Sequence, residues 1–107
     1  MGQFRGGMNE LMRQAARLQR KIEQTKKELA DKEVVGAAVG DKVKATVTYA
    51  GKLARVDIDP EFLKSEGLEL ALDGVVAAVN AGLEQAEKAM EEELKKITGG
   101  ANIPGLI

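Results

Sequence analysis

The sequence predicts an α+β chain in which a long N-terminal helix leads into a three-stranded antiparallel meander and a long C-terminal helix follows. Three observations predict this order: apolar residues spaced 3,4 from Met8 to Leu29, a two-residue alternation over Val43–Tyr49, and a return to helical spacing from Leu72 to Ile97. At 107 residues, 44% of them hydrophobic, the chain suffices for one modest core, so one domain is expected over 1–107, with an irregular tail from about 99 to 107.

The first helix is predicted over roughly residues 8–32. Met8, Leu11, Ala15, Leu18, Ile22 and Leu29, with Thr25 filling the one gap, form a heptad seam, and no Gly or Pro interrupts from Met8 to Val35. Gly6-Gly7 before it reads as a flexible end. Val34, Val35 and Val39 predict a first strand. A second follows where Val43, Ala45, Val47 and Tyr49 alternate with Lys44, Thr46 and Thr48, a pattern with one buried face. Gly40-Asp41 and Ala50-Gly51 supply the turns, and Leu53–Ile58 forms the third strand with Val56 and Ile58 inward.

Asp59-Pro60-Glu61 is a helix-start signal, because Asp caps free N–H groups and Pro carries the fixed φ of a first helical position. A short helical turn is predicted through Leu63. Beyond Ser65-Glu66-Gly67 the apolar positions Leu72, Val76, Val79, Leu83, Ala86, Met90, Leu94 and Ile97 predict a second long helix over about 68–97, stopping at Gly99-Gly100. Glu84 with Lys88, Glu91 with Lys95 and Glu92 with Lys96 lie four apart on its solvated face. Gly82 inside it signals either close backbone packing or simple tolerance. Ile103, Leu106 and Ile107 in the tail could dock on a partner.

Composition removes several classes of function. With no cysteine and no histidine, disulfides, Cys/His zinc sites, thiol nucleophiles and imidazole acid–base chemistry are excluded. Asp57, Asp59 and Glu61 form the only compact carboxylate group that invites a metal or acid–base reading, and it is too poor in ligands for a magnesium or calcium site when Asp59 also caps a helix. No cofactor, metal or catalytic residue is expected, and an enzyme is the least supported reading. No stretch approaches the ~20 apolar residues of a membrane span, so a cytoplasmic setting is expected.

Length argues for a partner copy. The two helices reach roughly 37 Å and 45 Å, whereas a compact chain of this size has a radius of gyration near ~13 Å. Their seams would overhang a monomeric core, and a three-stranded sheet leaves edges open, so a homodimer is expected.

The net charge of −1 conceals an uneven distribution: between Arg5 and Lys27 stand seven basic residues against two acidic ones. With Met8 at heptad position a, Arg13, Arg20 and Lys27 fall at f and Arg17 at c, facing away from the seam, with Lys21 and Lys26 on the flanks. On composition alone this row is the solvated face of an amphipathic helix.

The order of elements resembles the YbaB/EbfC family. The resemblance is carried by Met8-Asn9-Glu10-Leu11-Met12-Arg13-Gln14-Ala15, Val43 to Gly51, Val56-Asp57-Ile58-Asp59-Pro60-Glu61-Phe62-Leu63, Val75-Val76-Ala77-Ala78-Val79-Asn80-Ala81 and Ile103-Pro104-Gly105-Leu106. It implies a tweezer-like α+β homodimer, sequence-tolerant binding of double-stranded DNA, and association with the nucleoid. With the resemblance in hand, the row reads as a DNA surface of Arg13, Arg17, Arg20, Lys21, Lys27 and Arg5. Lys95 and Lys96 are secondary, because Glu91, Glu92 and Glu93 stand beside them. Arginine suits the task, since its planar fork pairs with phosphate oxygens. Only Phe4, Tyr49 and Phe62 are aromatic, which disfavours stacking on single strands. The alternative is a helical protein–protein adaptor without direct DNA binding, its seams accepting a partner helix. Membrane-surface binding is weaker, because the apolar strip of the first helix is narrow.

Overall fold

The computed structural model describes residues 2–99, with side chains described from residue 7 onward. The elements run α1 (Gly2–Leu29), β1 (Glu33–Ala38), β2 (Val43–Thr48), β3 (Leu53–Ile58), α2 (Pro60–Glu66) and α3 (Leu68–Ile97), which is the expected order. They divide into two compact units, Leu29–Met90 and the pair of segments Met1–Glu28 and Glu91–Ile107.

In the first unit the strands pair antiparallel in the order β1-β2-β3. Pairing aligns Val34 with Val47, Gly36 with Ala45, and Ala38 with Val43, while Val56 and Ile58 on β3 oppose Ala45 and Val43. These residues share one pleat face. Val43, Ala45 and Val47 at its centre are fully buried. Against that face α3 sets a row of small residues, Ala71, Gly74, Ala78, Gly82 and Ala86, whose spacing places them on one side of the helix. The three alanines are buried.

Small residues there let helix and sheet approach closely. A Cβ added to Gly36 would run into the backbone of Ala78 and Gly82, and one on Gly82 would stand 2.7 Å from a Val47 methyl. Close packing, one of the two readings of Gly82, is what the structure has. Phe62 of α2 joins Val43, Ala45, Ala71 and Ala78 to complete the core.

Several expectations shift. Thr46, which the alternation places on the open face, is 5% exposed; it lies on the central strand, paired with Val35 on one side and Arg55 on the other. The β2–β3 register then slips, Thr46 pairing with Arg55 and Val47 with Leu53, so Ala54 is a bulge residue. Val39 belongs to the turn rather than to β1: Val39, Gly40 and Asp41 all have positive φ, and Lys42 N–H donates to the Val39 carbonyl at 3.1 Å. The short helix continues past Leu63 to Glu66 and ends on Gly67, at φ 90°, whose N–H donates to the Leu63 carbonyl.

In the second unit, α1 begins before Met8 and passes through Gly6-Gly7, which the sequence had suggested as a flexible end. Each glycine costs about 1 kcal/mol there, but no proline intervenes to stop the helix. At its other end α1 stops at Leu29 instead of continuing to about 32. The carbonyls of Ala30 and Lys32 accept from the N–H groups of Ala50 and Tyr49 instead, committing that segment to the sheet. Ile22 and Leu94 are buried, Leu18 and Ile97 half-buried, while Met8 and Leu11 are exposed. Gly99 closes α3 with φ 67°. Gly100 and the tail residues Ile103, Leu106 and Ile107 lie outside the described residues, as does the Ile103–Leu106 stretch of the family resemblance.

Candidate nucleic-acid interface

A helix of 28 residues, such as α1, extends about 42 Å, and its heptad pattern decides which charges share a side. Arg13, Arg20 and Lys27 recur every seven residues, and Arg17 lies beside them, so the row spans about 21 Å along the axis. All four are exposed, as are Lys21 and Lys26. The last turn of α1 carries Lys26 and Lys27, where the carbonyl end of the helix dipole favours cations. Arg5 lies on the backbone of α1, but its side chain falls outside the described residues.

Ion pairing divides the predicted cations into two groups. Arg13 meets Glu10 at 3.7 Å, Lys95 meets Glu91 at 4.0 Å, and Lys96 meets Glu93 at 3.1 Å. Among the described residues, Arg17, Arg20, Lys21 and Lys27 enter no ion pair. The expected pairs Glu84–Lys88 and Glu91–Lys95 form, but Lys96 takes Glu93 three residues back rather than Glu92 four back. Either spacing places a carboxylate beside the ammonium on a helix surface. Exposed pairs of this kind contribute little, so a phosphate can replace the carboxylate without much loss.

The structure also brings together cations that the sequence had ranked separately. Arg17 and Lys21 of α1 and Lys96 at the end of α3 line one open groove of about 550 Å³ together with Leu18 and Ile97. Arg13, Arg20 and Lys27 lie along α1 outside that lining, as does Lys95 on α3. No motif signalled the groove, because the meeting of residues so far apart in the chain is tertiary. The available hint was the pair of seams that both carry apolar residues there, Leu18 on one and Ile97 on the other.

Other charged residues have local duties. Lys42 Nζ donates to Asp59 Oδ2 at 3.3 Å, and Arg55 Nε donates to Asp57 Oδ2 at 3.0 Å. Asp59 Oδ1 accepts the Glu61 N–H at 2.9 Å as the N-cap of α2. That bond, then the Lys42 ammonium, holds the Asp59 carboxyl below its ordinary pKa. Among the described residues no three Asp, Glu, His or Cys side chains gather as a metal site, and no helix is long and apolar enough to cross a membrane.

The model of the YbaB/EbfC DNA-binding family matches residues 4–101. A nucleoid-associated protein of Clostridium acetobutylicum is 38% identical over 101 residues, covering 94% of this chain and 90% of that one. One of Caldanaerobacter subterraneus subsp. tengcongensis is 40% identical over 107 residues, covering 98% and 96%. Another, from Afipia carboxidovorans, is 43% identical over 96 residues, covering 90% and 91%. Among solved structures, an uncharacterized protein from Helicobacter pylori shares the fold with a TM-score of 0.68 at 18% identity, covering 85% of this chain and 96% of that one.

Proposed function

Because the chain belongs to the YbaB/EbfC DNA-binding family, we propose that it is a non-enzymatic nucleoid-associated protein that binds duplex DNA as a homodimer, mainly through phosphate contacts. In this reading the whole chain acts as one DNA-binding domain. Arg13, Arg17, Arg20, Lys21 and Lys27 make the principal contacts, and Arg5, Lys95 and Lys96 add to them. Its place is the nucleoid, where it organises DNA and influences gene expression.

The observation that carries the reading is the exposed row on α1, four of whose cations have no ion-pair partner among the described residues. A duplex presents one phosphate charge per ~1.7 Å of axis, so a rigid row about 21 Å long can meet several and release their counterions. Base-edge readout is not required for such binding. The dimer is supported by apolar side chains that the Leu29–Met90 unit leaves in water: Leu68, Leu72 and Val76, four apart along α3, are 65%, 52% and 61% exposed. Val35 on the edge strand β1 is 50% exposed. A second copy would remove this surface from water.

The test is fluorescence anisotropy of a labelled random-sequence duplex at several salt concentrations, beside an Arg13/Arg17/Arg20→Ala triple variant shown to remain folded. Wild type is expected to bind with a log–log salt slope near −5, corresponding to about six neutralised phosphates, and the variant to lose about half of that slope. A flat salt dependence would overturn the phosphate reading. Sedimentation equilibrium of the same sample reads the dimer directly.

A further inference from the structure

We propose that the groove between the middle of α1 and the end of α3 docks an acidic amphipathic helix from a partner protein. This goes beyond the nucleic-acid reading by assigning a second class of ligand to part of the same surface.

The groove combines two features that a duplex does not satisfy together. The lining cations are the exposed side chains, Arg17 and Lys21 one turn apart on α1 and Lys96 on α3, and serve as its rims, while the half-buried Leu18 and Ile97 serve as its apolar floor. Phosphates suit the rims but leave the floor wet, because a sugar–phosphate backbone offers no apolar stripe to cover it. A helix with leucine-like residues at i, i+3 and i+4, flanked by Asp or Glu, matches floor and rims at once. Leu18 and Ile97 are only half-buried, so their remaining apolar surface is available to an incoming side chain.

Charge complementarity selects the sign of the partner. Among the described residues Arg17 and Lys21 have no ion pair and Lys96 pairs with Glu93 alone, the lysine side chain 72% exposed and the glutamate 32%. A partner carboxylate can take the place of Glu93 with little loss, since exposed pairs are weak. The three cations of the groove would then be shared between peptide and DNA, so the two ligands compete.

The probe is a fluorescein-labelled peptide with leucines at helical spacing and glutamates on both flanks. It is titrated into the full chain beside a scrambled peptide of identical composition and a labelled random-sequence duplex. The patterned peptide is expected to bind saturably, at least about ten-fold more tightly than the scrambled one, and to be displaced by unlabelled duplex. Leu18→Ser and Ile97→Ser, made separately and checked by circular dichroism, are each expected to weaken the peptide about ten-fold and leave duplex affinity within about two-fold.

Equal affinity for patterned and scrambled peptides would overturn the proposal, reducing it to unpatterned charge attraction. So would absence of peptide binding, or serine variants that lose peptide and duplex in parallel. If both variants unfold, the patterned-against-scrambled comparison on wild type decides alone. Duplex binding in the same samples separates failure of this proposal from failure of the DNA reading.

Discussion

The Leu29–Met90 unit and the unit of helix ends are built from similar residue types put to opposite uses. In the first, Gly36 and Gly82 let a strand and a helix approach until added side-chain atoms would collide, and Val43, Ala45 and Val47 are fully buried. In the second, Gly7 stands on α1 with nothing within 4 Å of an added Cβ, and Met8, Leu11 and Met12 are each more than half exposed. Close packing governs the glycines of the first region, whereas in the second the surface of α1 is open and charged. The same substitution should therefore have opposite consequences in the two.

Glycine to alanine gives the largest contrast. Gly36→Ala places a methyl group against the backbone of Ala78 and Gly82, which cannot rotate away, so a loss of about 3 kcal/mol or more is expected. Gly82→Ala meets a Val47 methyl instead, and improved helix propensity offsets part of the strain, so its loss should be smaller. Gly7→Ala should stabilise α1 by up to about 1 kcal/mol, because the helix gains propensity and nothing is in the way. Urea midpoints of the three variants measure this, and a Gly36→Ala chain as stable as wild type would mean that α3 and β1 are not so closely packed.

The charged row should show the reverse signature. Arg13, Arg17 and Arg20 are exposed, so their replacement by alanine should move stability by less than about 0.5 kcal/mol. Duplex affinity at moderate salt should nevertheless fall by roughly ten- to a hundred-fold, with the salt slope smaller by about 2.7. A melting temperature that falls together with the affinity would place these arginines in the fold rather than on a binding surface.

Legibility from sequence follows the same division. Apolar period, turn residues and the Asp59-Pro60 start are local signals, and they placed every element, with β3 and α3 at their observed bounds. Two of the expectations that failed did so through residues distant in the chain. Tyr49 and Ala50 took the carbonyls that would have prolonged α1, and Thr46 is buried on the central strand between its partners Val35 and Arg55. In the candidate interface, the exposed positions of Arg13, Arg17, Arg20, Lys21 and Lys27 were legible from heptad phase alone. The convergence of Arg17 and Lys21 with Lys96 was not, since it depends on how two segments meet, and neither was the choice of Glu93 over Glu92.

Asp59 offers a charge in the sheet-bearing unit that acts on folding rather than on a ligand. Its folded pKa lies below the ordinary value of 3.8, because the carboxylate accepts the Glu61 N–H and then pairs with Lys42. A depressed folded value means that the carboxylate stabilises the fold above the unfolded pKa and loses this contribution as pH falls through the folded pKa. Asp59→Asn keeps a cap acceptor but removes the charge. The variant should melt slightly below wild type at pH 7, with the two curves converging in acid below pH 3.8. A constant gap across that range would trace the difference to cap geometry instead of charge.

The smallest expected effect tests whether shape governs even the turns of the Leu29–Met90 unit. Val39 has φ 54°, in a region where a β-branched side chain is strained, between Ala38 at the end of β1 and Gly40 at φ 58°. Asparagine tolerates this backbone far better, so Val39→Asn should relieve the strain. The opposing loss is the packing of Val39, whose methyl group stands 3.3 Å from where a Cβ on Gly74 would be, though the residue is 46% exposed. Strain of this kind costs on the order of 1 kcal/mol, and half of an apolar side chain recovers somewhat less, so a net gain below about 1 kcal/mol is expected. A loss would mean that the contact toward α3 outweighs backbone strain, and the turn would then be shaped by the same close helix–sheet packing as Gly36.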